Sequence, residues 1–265
     1  PEPFIRNRLG CATVEIASRS FDVGMVQRDS IRVDLDATLA ALTDLVARAE
    51  ALQREESARL QAGDIRAVVA DIPSIPLAAA AEAGLPALAV ANFSWDWIYE
   101  EFAARGPGWA RAVDLFREGY ARADLLMRLP FSAPMDAFSR AMDLPLTASP
   151  GCARRAELAA LSGADPNKPW VLLSFLSLNW SEAAIAAVRA LTRYEFFTVL
   201  PLKWAGPNLH AIDRKDISYT DVLASTDVVV TKPGFGVLSE CCANNRPLIY
   251  VDRSDFREYP VLVEA

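Results

Sequence analysis

Residues 227–242 read DVVVTKPGFGVLSECC, and the fold turns on how this stretch is parsed. Asp227 and the β-branched run Val228–Thr231 have the composition of a short buried strand. Lys232-Pro233-Gly234-Phe235-Gly236 breaks it, and residues 237–243 read as the start of a helix. The first backbone N–H groups of a helix have no intrahelical partner, so a strand, a glycine turn and a helix start make an opening suited to anions and hydroxyls. Gly234 and Gly236 permit positive φ and close approach of a ligand to the backbone. With the helix starting near Val237, Ser239 and Glu240 fall in its first turn, their polar atoms beside the same opening. Such a crevice at the carboxyl end of a parallel strand is where open α/β sheets take ligands. The competing reading is a turn whose glycines serve the backbone alone.

Outward from this stretch the same alternation recurs. Asp29 or Ser30 is placed to cap a long helix whose apolar positions Ile31, Leu35, Leu39, Leu42, Leu45, Val46, Ala49 and Leu52 keep helical spacing, with Gly63 as its stop. Strands are predicted at 65–70, 87–91, 124–128, 171–174, 196–200, 209–212 and 247–251. Helices are predicted at 75–83, 109–121, 154–161, 181–191 and 219–225. Residues 92–99, NFSWDWIY, read as an aromatic loop. Strands alternating with helices imply parallel sheets covered by helices. Prolines and glycines interrupt the pattern between Leu129 and Pro169, which sets a domain boundary there.

Composition narrows the function. The chain of 265 residues is 52% apolar and 23% charged, as in soluble globular proteins with one large or two modest cores. A net charge of −7 argues against nonspecific binding to nucleic acid or to anionic membranes. Cys11, Cys152, Cys241 and Cys242 show neither metal-ligand spacing nor a disulfide framework, so reduced, mostly buried thiols in a cytoplasmic protein are expected. With His210 as the single histidine, a histidine-rich metal site is excluded. The apolar stretch 77–93 is broken by Glu82, Gly84 and Pro86, and no segment is long enough to span a bilayer. The amino end has no signal-peptide pattern.

PGFGVLSE at 233–240, RPLIYV at 246–251 and DFREYP at 255–260 together resemble the donor-binding half of the GT-B nucleotide-sugar glycosyltransferases. The likeness is strongest to bacterial proteins related to the N-terminal part of arabinokinase-type enzymes, and more distant to the peptidoglycan N-acetylglucosaminyl transferase. VVADIPSIPLAAAAEAGLPALAVANFSWDWIY at 68–99 and DVGMVQRDS at 22–30 look like the same group. The resemblance implies an α/β protein of two Rossmann-like domains facing a cleft: residues 1–148 on the acceptor side and residues 149–265 holding the donor. Relatives begin with a strand and a Gly/His-rich loop. This chain opens on Pro1-Glu2-Pro3, and residues 262–265 stop inside what reads as a helix, so it is expected to be incomplete at both ends.

The implied roles follow residue by residue. Glu240 matches the glutamate that accepts hydrogen bonds from ribose hydroxyls, a task for an acceptor-only carboxylate; its alternative is to complement the helix dipole. Ser239 and the backbone of Gly234, Phe235 and Gly236 would meet the diphosphate, and Asp255 the hydroxyls of the donor sugar. Asp252, Arg253, Arg257 and Glu258 read as surface ion pairs, and Lys232 as a solvated lysine. His210 reads as structural, although the backbone after it would border the base. Asp71, at a strand end, and Asp96, in the aromatic loop, are the candidate bases, with Asp71 alternatively capping the next helix. Relatives carry a glycine-rich loop after the strand at 171–175, whereas here residues 174–180 read SFLSLNW. Either that loop has diverged or the sequence omits residues there. The expectation is a metal-independent, cofactor-free glycosyltransferase acting on a nucleotide sugar, with uridine as the nucleoside, and an unknown acceptor. A nucleotide-sugar epimerase of the same fold and a non-catalytic sensor are the alternatives.

Overall fold

The computed structural model describes residues 5, 6, 9, 14–175, 180–200, 202–253 and 256–265. Two parallel sheets account for its strands. The first comprises β1 (Val68–Ala70), β2 (Ala87–Ala91), β3 (Leu125–Arg128) and β4 (Ala141–Asp143), in that spatial order. The second comprises β5 (Trp170–Ser174), β6 (Glu195–Val199), β7 (Leu209–Ile212), β8 (Val228–Thr231) and β9 (Leu248–Tyr250). Its order is β7-β6-β5-β8-β9, so the winding direction reverses between β5 and β8. Every strand pair in both sheets is parallel. The expected pair of Rossmann-like units is therefore present.

In the first unit, α1 (Leu35–Ala62) and α2 (Ser74–Glu82) cover the sheet with α4 (Pro107–Tyr120), while the shorter α3 (Trp95–Glu100) packs on α4. Its core pairs small strand residues, Ala87, Ala89 and Ala91, with large helix residues, Tyr99, Trp109, Phe116 and Tyr120, all buried. At Gly119 a Cβ would lie 2.7 Å from that of Ser74, so this glycine sets how closely α4 meets α2. Two sequence readings are corrected here. The cap of α1 is Asp34, whose carboxylate accepts from Ala37 N at 3.1 Å. Asp29 instead accepts from Ile31 N, Arg32 N and the Arg32 guanidinium, which hold its carboxyl down to about 2. NFSWDWIY is not all loop, because residues from Trp95 form α3.

In the second unit, α5 (Arg155–Ser162), α6 (Glu182–Ala190), α7 (Tyr219–Ser225), α8 (Phe235–Ala243) and α9 (Glu258–Glu264) accompany the sheet. Alternate residues of β5 enter two different cores: Trp170 and Leu172 on one face, Val171 and Leu173 on the other. Burial on both faces is what a parallel strand requires. The first sheet ends at Asp143, and Leu158 of α5 already belongs to the second unit's core.

The carboxyl edges of the two sheets face each other. Phe93, just past β2, stacks on Phe235 at the start of α8, with centroids 5.9 Å apart and planes 13° apart. Phe256 packs against the first core. Arg257 donates to the Trp97 carbonyl and to Glu100 Oε2, the latter at 3.2 Å, and its guanidinium lies 4.6 Å over the Trp97 ring. No helix among the described residues is long and apolar enough to cross a membrane.

Candidate functional site

The reversal between β5 and β8 opens a crevice at their carboxyl ends, and the turn 232–236 lines it. Register brings Ser174, Thr231 and Tyr250 into one row across β5, β8 and β9. Thr231 Oγ1 donates to the carbonyl of Ser174 at 2.9 Å, tying the two strand ends together. Gly234 is the N-cap of α8, and no side chain caps this helix. The amides of its first turn therefore open on the crevice.

Two expectations about this turn are corrected. Gly234 has an extended φ of −167°, and Gly236 is not among the positive-φ glycines, so neither uses left-handed backbone. What Gly236 provides is room, since a Cβ built there meets nothing within 4 Å. The helix also begins at Phe235, earlier than the apolar pattern suggested, which moves Ser239 and Glu240 into its second turn. Ser239 is buried and Glu240 half-buried. Phe235 faces Phe93 of the opposite unit.

A cavity of about 350 Å³ is bounded by the ends of β5, β6 and β7 and by the start of α7. Ser174, Phe175, Val199, Ile212, Arg214 and Tyr219 line it. Ser174 Oγ and Tyr219 Oη lie 2.8 Å apart, a hydroxyl pair able to donate and accept. Burial pushes the Tyr219 phenol well up; the Ser174 hydrogen bond opposes this and the charge of Glu240 adds to it. Glu240 is therefore an electrostatic neighbour of the cavity's hydroxyl pair. Arg214 is fixed at the rim by two hydrogen bonds to Asp216, at 2.9 and 2.8 Å.

Sequence reasoning missed Ser174, Arg214 and Tyr219. The usable signals were a serine ending the strand VLLS and a tyrosine directly after the helix cap Ser218. His210 is placed elsewhere: buried, with Nε2 2.7 Å from Glu195 Oε2, while Lys168 donates to the other Glu195 oxygen at 3.0 Å. That is a structural contact.

The loop after β9 differs from a row of surface ion pairs. Arg253 is 4% exposed and stacks on Phe256 at 4.1 Å. Lys232 is half-buried, not solvated; burial and the neighbouring Arg253 lower its pKa, and Glu258 partly restores it. Burial raises the Glu258 carboxyl to about 7 against the pull of Arg253 and Lys232. Asp255 and residues 176–179 lie outside the described residues, so the sugar-side contact and the altered loop are not placed.

Across the cleft, Asp71 follows β1; the residue as a whole is exposed, but its carboxyl group is partly withdrawn from water, which raises its pKa. It does not cap α2, whose N-cap is Pro73 without a side-chain hydrogen bond. The next residue, Ile72, has φ +72°, a costly conformation for a β-branched residue. Tyr120 holds it by donating its hydroxyl to the Ile72 carbonyl at 2.8 Å. Asp22, not singled out from sequence, accepts from Trp95 Nε1 at 3.1 Å. Its pKa is raised by burial, lowered by the Trp95 bond and raised by Asp71. Asp96 is 4% exposed and lies beside Arg117, away from this pair.

No protein-family model matches the chain. It is 30% identical over 269 residues to an L-arabinokinase of Arabidopsis thaliana, a match covering 99% of the chain and 25% of that protein, so the chain spans a quarter of its relative. Among solved structures it is similar to a UDP-glucosyltransferase from Polygonum tinctorium, with a TM-score of 0.57 at 15% identity, over 88% of this chain and 69% of that one. It is also similar to a putative UDP-N-acetylglucosamine 2-epimerase from Listeria monocytogenes, with a TM-score of 0.50 at 14% identity, over 84% of this chain and 66% of that one. The chain thus has the two-domain fold of the GT-B glycosyltransferases and is related in sequence to arabinokinase-type proteins along nearly its whole length.

Proposed function

We propose that the protein is a glycosyltransferase that takes a sugar from a nucleotide-sugar donor, a UDP-sugar in the first instance, and passes it to an acceptor hydroxyl. The observation that carries this is the convergence, at the switch point of the second sheet, of an uncapped helix start, a cavity with a hydroxyl pair and Glu240. The nucleoside would enter the cavity and give its ribose hydroxyls to Glu240. Amides of Gly234, Phe235 and Gly236 would hold the diphosphate, with Ser239 supporting that turn from within and Asp255 reaching the sugar hydroxyls. Residues 149–265 are then the donor side and residues 1–148 the acceptor side.

In the reaction, the acceptor oxygen attacks the anomeric carbon and the bond to the diphosphate oxygen breaks. The nucleoside diphosphate departs with the bonding pair. Helix-start amides aimed at the developing charge stabilise it without a metal ion. The acceptor proton passes to Asp71, with Asp22 beside it; a raised pKa suits a carboxylate to that step. Asp96, enclosed by its neighbours, is the weaker base. A cytoplasmic location fits a nucleotide-sugar donor. The epimerase reading is supported by the shared fold of the Listeria protein, and it predicts turnover of the donor with no acceptor present. The sensor reading rests on the loop without glycine at 174–180 and predicts binding without turnover.

The test is calorimetric titration of UDP-sugars into the protein and into Glu240→Gln. Loss of a charged acceptor should weaken binding by about 1.5–3 kcal/mol with the melting temperature nearly unchanged. Equal affinity in both proteins would remove Glu240 from the site. Absence of binding by any nucleotide sugar would refute the donor reading.

A further inference from the structure

Among the described residues, the wall of the cavity at the ends of β5, β6 and β7 carries one charged side chain, Arg214. Its charge is already offset. Arg214 donates through Nε and Nη2 to the two carboxylate oxygens of Asp216, at 2.9 and 2.8 Å. These bonds, first among the causes, hold the Asp216 carboxyl down to about 2, so the pair is ionised at neutral pH. A two-pronged bond of this kind lies in the guanidinium plane and fixes it. It also occupies the paired donors of one edge, the kind that grip a phosphate two at a time. The flat faces remain, weakly hydrated and, in a side chain 49% exposed, not buried by packing. Val199, Leu200, Ile212 and Ile217 make an aliphatic wall, and Leu200 is 47% exposed. The cavity thus presents a fixed flat cation and an apolar side chain open to solvent, with the Ser174–Tyr219 hydroxyl pair as its uncharged polar group.

We infer that Arg214 is the platform on which the donor's heteroaromatic base stacks, with Leu200 as the apolar surface that the base covers. The inference rests on the donor reading above and adds the residue that makes the site select a base. A heteroaromatic ring has a π face that attracts a guanidinium plane and enough apolar surface to cover a leucine. A phosphate gains less here, because Asp216 holds one edge of the guanidinium and offsets its charge. An aliphatic ligand would cover Leu200 but offer the guanidinium face nothing in exchange for water. Arg214 is thus a specificity residue that acts through its shape, and its charge is secondary.

UDP and uridine are the probes, titrated by calorimetry and NMR into the full chain and two variants. Uridine carries the base without phosphate. Arg214→Lys keeps the charge and removes the plane, whereas Arg214→Trp keeps a flat face and removes the charge. The Arg214–Asp216 pair is exposed and contributes little to stability, so both variants should fold. Arg214→Lys should weaken UDP and uridine by the same factor, about fivefold to tenfold. Arg214→Trp should keep both within about threefold of the parent. Parent-like affinity of Arg214→Lys for both ligands would overturn the inference and leave the donor reading standing. A loss confined to UDP would overturn it in favour of a phosphate contact, and loss of both ligands in both variants in favour of a hydrogen-bond donor. Uridine without saturable binding in a parent that binds UDP would overturn it too, since the base would then carry no affinity of its own. A parent that binds neither ligand would remove the donor reading and the inference with it.

Discussion

Gly236→Ala separates stability from ligand binding at the β8–α8 turn. Gly236 is the second residue of α8, its φ is not in the left-handed region, and a Cβ there meets no heavy atom within 4 Å. Alanine therefore fits without displacement. Removing a helical glycine lowers the conformational freedom of the unfolded chain and should stabilise the protein by about 0.5–1 kcal/mol. For a chain of this size that raises the melting temperature by roughly 1–4 °C. The same methyl group fills the space through which a diphosphate would reach the amides of the turn. If the donor binds there, its affinity should fall at least about tenfold, or roughly 1.4 kcal/mol. Thermal melts and calorimetric titration of one UDP-sugar, on parent and variant, read both quantities. A more stable variant with unaltered affinity would show that the ligand does not use this turn. A less stable variant would show that the space is not open and would sink the geometric premise itself.

Two further substitutions test other parts of the structure. At Gly151 a Cβ would lie 1.9 Å from the Thr220 carbonyl oxygen, so Gly151→Ala must push the chain off the start of α7. Overpacking, with loss of the Gly151 N to Asn244 and Cys152 N to Asp221 hydrogen bonds (both 2.8 Å), should cost about 3–5 kcal/mol in urea melts; a loss below about 1 kcal/mol would refute the contact. Glu258 keeps its proton to about pH 7 when folded, against an ordinary value of 4.5. Its contribution is full below about pH 4.5 and is lost as pH rises through about 7, by up to roughly 3 kcal/mol. Glu258→Gln should flatten that decline, and coincident stability–pH curves for the two proteins would count against the buried carboxyl.

The parallel architecture was legible because its signals are local. Val228–Thr231, set between Asp227 and Lys232, and the aliphatic run Val171–Leu173 after Pro169 announce themselves as strands. β4 was invisible because Ala141–Asp143 is exposed throughout and carries no apolar pattern. The starts of α1 and α8 were each displaced, the cap at Asp29 or Ser30 instead of Asp34 and the first residue at Val237 instead of Phe235. Asp29 satisfies a local turn, and a glycine after Phe235 hides the first helical residues from periodicity. For the site, the sequence pointed to the glycine turn and Glu240 but not to Ser174 and Tyr219. These are 45 residues apart and meet only because β5 ends and α7 begins at the same edge. Asp22 stayed hidden for the same reason: only the Trp95 indole, 73 residues away, gives it meaning.

The grip of Arg257 on Trp97 and Glu100 sets a mechanical limit. Val251 is still bonded into the second sheet, its N–H donating to the Thr231 carbonyl at 3.0 Å. Six residues later the chain is fastened to the opposite unit. A fully extended chain of that length reaches no more than about 20 Å. This stretch is a leash: at this edge the two units part only within its reach while Arg257 holds. Any ligand that draws the loop after β9 inward also pulls on α3, on the far side of the cleft.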